Sequence, residues 1–147
     1  MSSLAKFFAL PLREQCEVAE ATAYLAVAQL LLLVPFRWLA PLCGRLHPGA
    51  ASALPVLTEE ENSSAFAVRR ALQRATGRLP WDSSCLVRAL AAQLMLRRRN
   101  LPTVLQLGVR AGPATELSAH AWLTCGEINI VGDESSAEFT PIAAFHA

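Results

Sequence analysis

The sequence predicts an α+β protein, and three observations carry that prediction. Leu12 to Val34 runs without Pro or Gly, a second helical pattern starts at Cys85, and alternating, strand-like segments succeed Thr103. At 147 residues with 53% hydrophobic side chains, the chain is long enough to bury one good core.

Residues 1–46 read as an N-terminal helical segment, in which Pro35, Pro41 and Gly44 punctuate the stretch after Val34. Ala21 to Phe36 is almost continuously apolar, broken by Thr22 and Gln29. Those 16 residues fall short of the roughly 20 needed to cross a bilayer, and Glu20 and Arg37 bracket them. A core or partner-facing helix is therefore the reading, with membrane-surface contact as the alternative. Residues 47–63, with Pro48, Gly49, Pro55 and the run Glu59-Glu60-Glu61, read as a connector.

Residues 64–147 form the core that carries the chemistry. Ser64 to Thr76 is predicted helical and stops at Gly77, with Phe66, Leu72 and Ala75 on its apolar side. After the turn Leu79-Pro80-Trp81, any of Asp82, Ser83 or Ser84 can cap the helix that carries Cys85. That helix runs to Arg99, with Asn100 and Pro102 as stop signals and three arginines at its negative end. Thr103 to Val109 is a strand, Arg110 to Leu117 a loop, and a hairpin containing His120 comes next. A cysteine-bearing helix on a small antiparallel sheet is the papain-like arrangement.

The net charge of +1 does not favour a strongly electrostatic nucleic-acid binder, yet charge is unevenly spread. Between Asn62 and Thr115 there are nine arginines against one acid, Asp82. A solvated helix face is the default reading, and a basic surface for an acidic peptide or partner is the sharper one. No aromatic interleaving or binding-fold signature points to nucleic acid.

Cys85 and His120 have the types and placement of a nucleophile and its base. A thiol at a helix N-terminus meets the positive end of the macrodipole and unpaired backbone N–H groups, which stabilise a thiolate. By itself such a cysteine is commonly a small buried hydrophobe; its company favours the nucleophile. Ser118 to Cys125 alternates as a strand, Gly126-Glu127 suits a two-residue loop, and Ile128 to Val131 is β-rich. Constant-sum pairing then sets Cys125 against Ile128, Thr124 against Asn129, Trp122 against Val131 and His120 against Asp133. Opposed residues share a face with Cβ atoms about 5 Å apart, so a carboxylate can hold an imidazole in one tautomer. The inference depends on loop parity. Asn129 is the second choice for that orienting role, and Trp122 on the His120 face reads as core packing.

The run Cys85 to Ala91, the cluster Arg97-Arg98-Arg99, then Leu105 to Arg110, His120-Ala121-Trp122 and Gly132-Asp133 together resemble the transglutaminase-like leader peptidase of lasso-peptide biosynthesis. The likeness covers roughly residues 65–145, and it rests on the order and spacing of motifs that are individually weak. It implies a transglutaminase-like fold and a Cys85-His120-Asp133 triad that removes the leader from a ribosomally made precursor. It also implies no cofactor, a separate leader-binding protein as partner, because no segment is left for a strand-rich recruiting module, and an ATP-dependent lasso cyclase acting with it. The backbone N–H of Cys85 is the natural oxyanion donor, with a second from Gln106 or Trp81.

The four cysteines form no C-x-x-C, and the N-terminus has no adequate signal-peptide core, so reduced thiols in the cytoplasm are expected. Cysteine and histidine spacings suit no zinc finger, so no metal is expected. Cys16 and Cys125 read as packing residues, and His47 and His146 receive no role. Two alternatives remain: a non-catalytic docking scaffold, and an acyltransferase that passes the acyl group to an amine instead of water.

Overall fold

The computed structural model describes residues 2–49, 54–132 and 136–147. A short helix α1 (Ser3–Phe8) starts at Ser2, whose hydroxyl accepts from the Ala5 N–H. Helix α2 (Leu12–Leu31) succeeds Pro11 and ends before the second proline, and α3 (Phe36–Cys43) opens directly after Pro35. The apolar stretch from Ala21 to Phe36 thus spans the end of α2, a turn and the first residue of α3, because Pro35 cannot continue the first helix. Val18, Ala21, Leu25 and Ala28 form the buried stripe of α2, with small alanines that admit neighbouring helices closely. Leu30 and Leu33 lie outside that stripe and are exposed. No described helix is long and apolar enough to cross a membrane.

Helix α4 (Glu59–Thr76) begins five residues before the expected start, inside the expected connector. Thr58 and Glu61 form a reciprocal capping box, and Glu59, Glu60 and Glu61 put negative charge at the positive helix end. The threonine-x-x-glutamate signature is the helix start that the acidic run conceals. Helix α5 (Cys85–Arg98) is capped by Ser84, whose Oγ accepts from the Val87 N–H at 3.3 Å. Of the three candidate caps, Ser84 is the one used.

Among the described residues, five antiparallel strands form one sheet in the order β1-β5-β2-β3-β4: β1 (Arg45–Pro48), β2 (Val104–Ala111), β3 (Leu117–Cys125), β4 (Ile128–Val131) and β5 (Thr140–His146). The protein is therefore α+β, with α5 packed on β3 and β4, α4 against β4, and α2 against both helices. Leu25, Met95, Leu96, Leu105 and Leu123 are among its fully buried side chains. Strands β1 and β5 have no counterpart in the sequence-based expectation.

The hairpin matches the expected register at its tip and departs from it above. Cys125 pairs with Ile128 and Thr124 with Asn129, around Gly126 at φ +55°. Val131 then faces Leu123 and not Trp122, because the register shifts between Leu123 and Thr124. The bulge gives β4 one extra residue, which turns the later residues of that strand by one place. The constant sum that set Asp133 opposite His120 consequently ends at Thr124. Asp133 itself lies outside the described residues.

Candidate active site

Cys85 is the first residue of α5 and is half-buried. Helix α5 presents it at the edge of a pocket of about 310 Å³. Helix α4 supplies one wall through Arg69, Leu72, Gln73 and Thr76, spaced so that one helical stripe faces the cavity. The remaining lining comes from Ser83, Cys85 and Arg88 at the start of α5, and from His120, Asn129, Ile130, Val131 and Gly132 in the hairpin. Cys85 and His120, far apart in sequence, thus share a cavity. Asn129 shares it with them, whereas neither Gln106 nor Trp81 is among its described lining residues.

His120 sits half-buried on β3 and its ring is held from several sides. Its Nε2 lies 3.0 Å from the carbonyl oxygen of Gly132. A carbonyl only accepts, so Nε2 carries the proton and Nδ1 is the basic nitrogen of the neutral ring. Trp122 stacks against the imidazole at 5.9 Å between centroids, and Phe139 lies 5.0 Å away. The Arg110 guanidinium lies over the Phe139 ring at 5.0 Å and pairs with Glu138. Trp122, expected to serve packing, is buried and also steers the imidazole.

Two glycines make this arrangement possible. Gly108 pairs with His120 across the sheet, and a Cβ there would meet the Trp122 ring at 2.7 Å. Gly132 has φ +86°, and its Cβ would meet the Ala121 carbonyl oxygen at 2.6 Å. Any side chain at Gly132 would push away the backbone whose carbonyl holds His120. Gly108, Phe139 and the Gly132 carbonyl are additions to the site that the sequence did not predict. A lone glycine within Leu105 to Val109 was the available signal for a close approach.

The other thiols have different surroundings. All four cysteines are free; Cys16 is exposed, and Cys43 and Cys125 are buried. Burial pushes Cys43 up to about 11, and burial with the nearby charge of Glu61 pushes Cys125 up to about 11. Neither lines the pocket. Among the described residues no cluster of three or more His, Cys, Asp or Glu side chains is arranged to hold a metal ion.

With the fold and the site in view, comparison with known proteins defines the class. Residues 30–144 match the Transglutaminase-like superfamily, and the chain belongs to that family. This superfamily includes cysteine peptidases and acyltransferases. No curated protein and no solved structure matches the chain.

Proposed function

We propose that this chain is a cysteine peptidase that removes the leader from a ribosomally synthesised lasso-peptide precursor. The observation that carries the reading is the shared pocket of Cys85 at the N-terminus of α5 and His120 on β3. Membership of the transglutaminase-like superfamily supports acyl-transfer chemistry at a cysteine, and the order of motifs in the sequence through Gly132-Asp133 is what suggests a leader peptidase.

In this mechanism His120 takes the Cys85 thiol proton, and the thiolate attacks the scissile carbonyl and forms a tetrahedral oxyanion near the Cys85 backbone N–H at the start of α5. Collapse of that intermediate breaks the peptide bond, with His120 protonating the leaving amine and leaving an acyl group on Cys85. Water, activated by His120, then releases the leader. The Gly132 carbonyl fixes the ring through Nε2; Asp133 is proposed to stabilise the imidazolium, with Asn129 as the second choice. A separate leader-binding protein raises the effective concentration of the scissile bond, and an ATP-dependent cyclase consumes the released core. An acceptor amine in place of water would make the same acyl-enzyme an acyltransferase intermediate.

The test is cleavage of a full-length precursor by the purified chain with its leader-binding partner, read by mass spectrometry. Wild type should release leader and core as two fragments, and a folded Cys85→Ala variant should release neither. Equal cleavage by that variant would remove the nucleophile assignment, and a leader joined to an added amine would favour acyl transfer.

A further inference from the structure

Two guanidinium groups face the same cavity as Cys85, and no described lining residue is acidic. Arg88 lies three positions beyond Cys85, one turn along α5, and its Nε donates to the Oγ of Ser83 at 2.9 Å. Ser83 is itself buried, at 7% exposure. That bond occupies one edge of the guanidinium and leaves both terminal nitrogens available for a two-pronged acceptor. Arg69 stands on the α4 stripe of the pocket, half-buried, whereas Arg88 is exposed at the mouth of α5. Five other arginines pair with Glu14, Glu17, Glu20 or Glu138. Arg69 and Arg88 have no carboxylate partner among the described residues. Two cations lining one cavity favour an anion there.

We infer that Arg69 and Arg88 form a carboxylate-binding subsite beside Cys85, which takes a side-chain or C-terminal carboxylate of the peptide substrate near the scissile bond. This rests on the reading of Cys85 as the nucleophile and adds a charge requirement on the substrate. Arg88 positions the carboxylate with both terminal nitrogens, and Arg69 supplies the second charge from the α4 wall. The substrate class is thus a peptide with an acid close to the cleavage point.

Alkylation by a charged and a neutral reagent reads the subsite directly. Iodoacetate and iodoacetamide react with the same thiolate and differ in the carboxylate, and peptide mapping by mass spectrometry reports Cys85 and the exposed Cys16 separately. The iodoacetate-to-iodoacetamide rate ratio at Cys85 should exceed that at Cys16. It should fall about five-fold or more in Arg69→Gln and Arg88→Gln proteins with wild-type circular dichroism, and added salt should lower it only where the arginines are present. Capped tripeptides identify the source of the carboxylate. Protection of Cys85 from iodoacetamide by acetyl-Ala-Glu-Ala-amide indicates a side chain, protection by acetyl-Ala-Gln-Ala with a free C-terminus indicates a chain end, and acetyl-Ala-Gln-Ala-amide should protect little. Fast reaction with iodoacetamide, together with a rate ratio unchanged in a folded Arg69→Gln/Arg88→Gln double variant, overturns the subsite alone. A Cys85 no more reactive than Cys16 toward either reagent overturns the nucleophile reading and the subsite with it.

Discussion

His120 Nε2 and the Gly132 carbonyl oxygen stand 3.0 Å apart, so a backbone group sets the tautomer of the imidazole. The carbonyl reaches that place because Gly132 adopts φ +86° directly after β4, beyond the bulge that shifts the hairpin register. A glycine dihedral thereby decides which ring nitrogen donates to the backbone. Stacking by Trp122 and Phe139 limits rotation of the same ring.

Gly132→Ala is expected to lose activity more than stability. A β-carbon there is strained by the positive φ and meets the Ala121 carbonyl at 2.6 Å; such strain costs about 2 kcal/mol. Relief of the clash moves the carbonyl that accepts from His120, so kcat should fall at least about ten-fold in protein that still unfolds cooperatively in urea. Unchanged kcat would show that this hydrogen bond does not orient the base.

The thiols should separate by function and by reactivity. Cys85→Ala should lower cleavage about a thousand-fold or more, and Cys125→Ala should leave most of it, provided the variant folds. Burial holds Cys43 and Cys125 at about 11, so near pH 8 only about one in a thousand of each is thiolate. Ellman's reagent should therefore label Cys16 and Cys85 promptly in the native protein and reach all four thiols only after denaturation. Prompt labelling of Cys125 in the folded state would contradict its placement in the core.

What was legible in the sequence was local. The run Asp82-Ser83-Ser84 before an apolar stretch announced the start of α5 without choosing which of the three caps it, and Gly126 announced the turn, because caps and turns draw on neighbouring residues. The bulge in β4 was not legible, since Ile128-Asn129-Ile130-Val131 has the same hydropathy whether or not one residue is extra. Pairing of β1 with β5 joins segments far apart in the chain, and the exposed pattern of Arg45–Pro48 gives no periodicity to find. Cys85 and His120 were singled out by residue type and placement, and they line one cavity, but the α4 wall of that pocket depends on tertiary packing that no local signal encodes.

Glu20 ties α2 to the end of α5. It accepts from Arg99 Nη1 and Nη2 at 3.0 and 2.8 Å, and from Arg98 at 3.0 Å. Arg98 is 65% exposed, so the Arg99 pair, with side chains 25% and 16% exposed, carries most of the effect. Its hydrogen bond to Glu20 holds the Arg99 guanidinium more firmly protonated. Glu20→Gln should lower stability by about 1 kcal/mol in urea unfolding, and high salt should narrow the gap from wild type.

Acidification should weaken the β1–β5 edge through His146. Burial, together with the smaller effect of the His47 charge, lowers the His146 pKa from its ordinary 6.5, and its Nε2 is buried with no hydrogen-bond partner among the described residues. The two rings lie 4.4 Å apart. In the folded state the ring stays neutral where the unfolded chain binds a proton, so its contribution is full above pH 6.5 and falls as pH drops below that value, until the folded ring itself protonates. Urea midpoints at about pH 7.5 and about pH 5.5 should differ less for His146→Gln than for wild type. An equal or larger difference in the variant would remove His146 from the acid response.

Asp133 and Asn129 remain to be ranked as partners of the imidazole, and the hairpin makes the comparison sharp. Asn129 pairs with Thr124 and lines the pocket, so its amide is near the chemistry but cannot carry a compensating charge. Asp133 comes directly after Gly132, whose carbonyl already accepts from His120. A carboxylate one residue on can stabilise the imidazolium formed during acyl transfer, which a neutral amide does only weakly. Asp133→Asn should therefore lower kcat about a hundred-fold or more with little change in KM, because the imidazolium exists only after proton transfer begins. Asn129→Ala should change kcat less than about ten-fold and act mainly through substrate placement in KM. Single-turnover cleavage of precursor peptide separates these effects from product release. If Asn129→Ala proves the more damaging to the chemical step, the imidazole is oriented from β4 and the triad assignment of Asp133 is wrong.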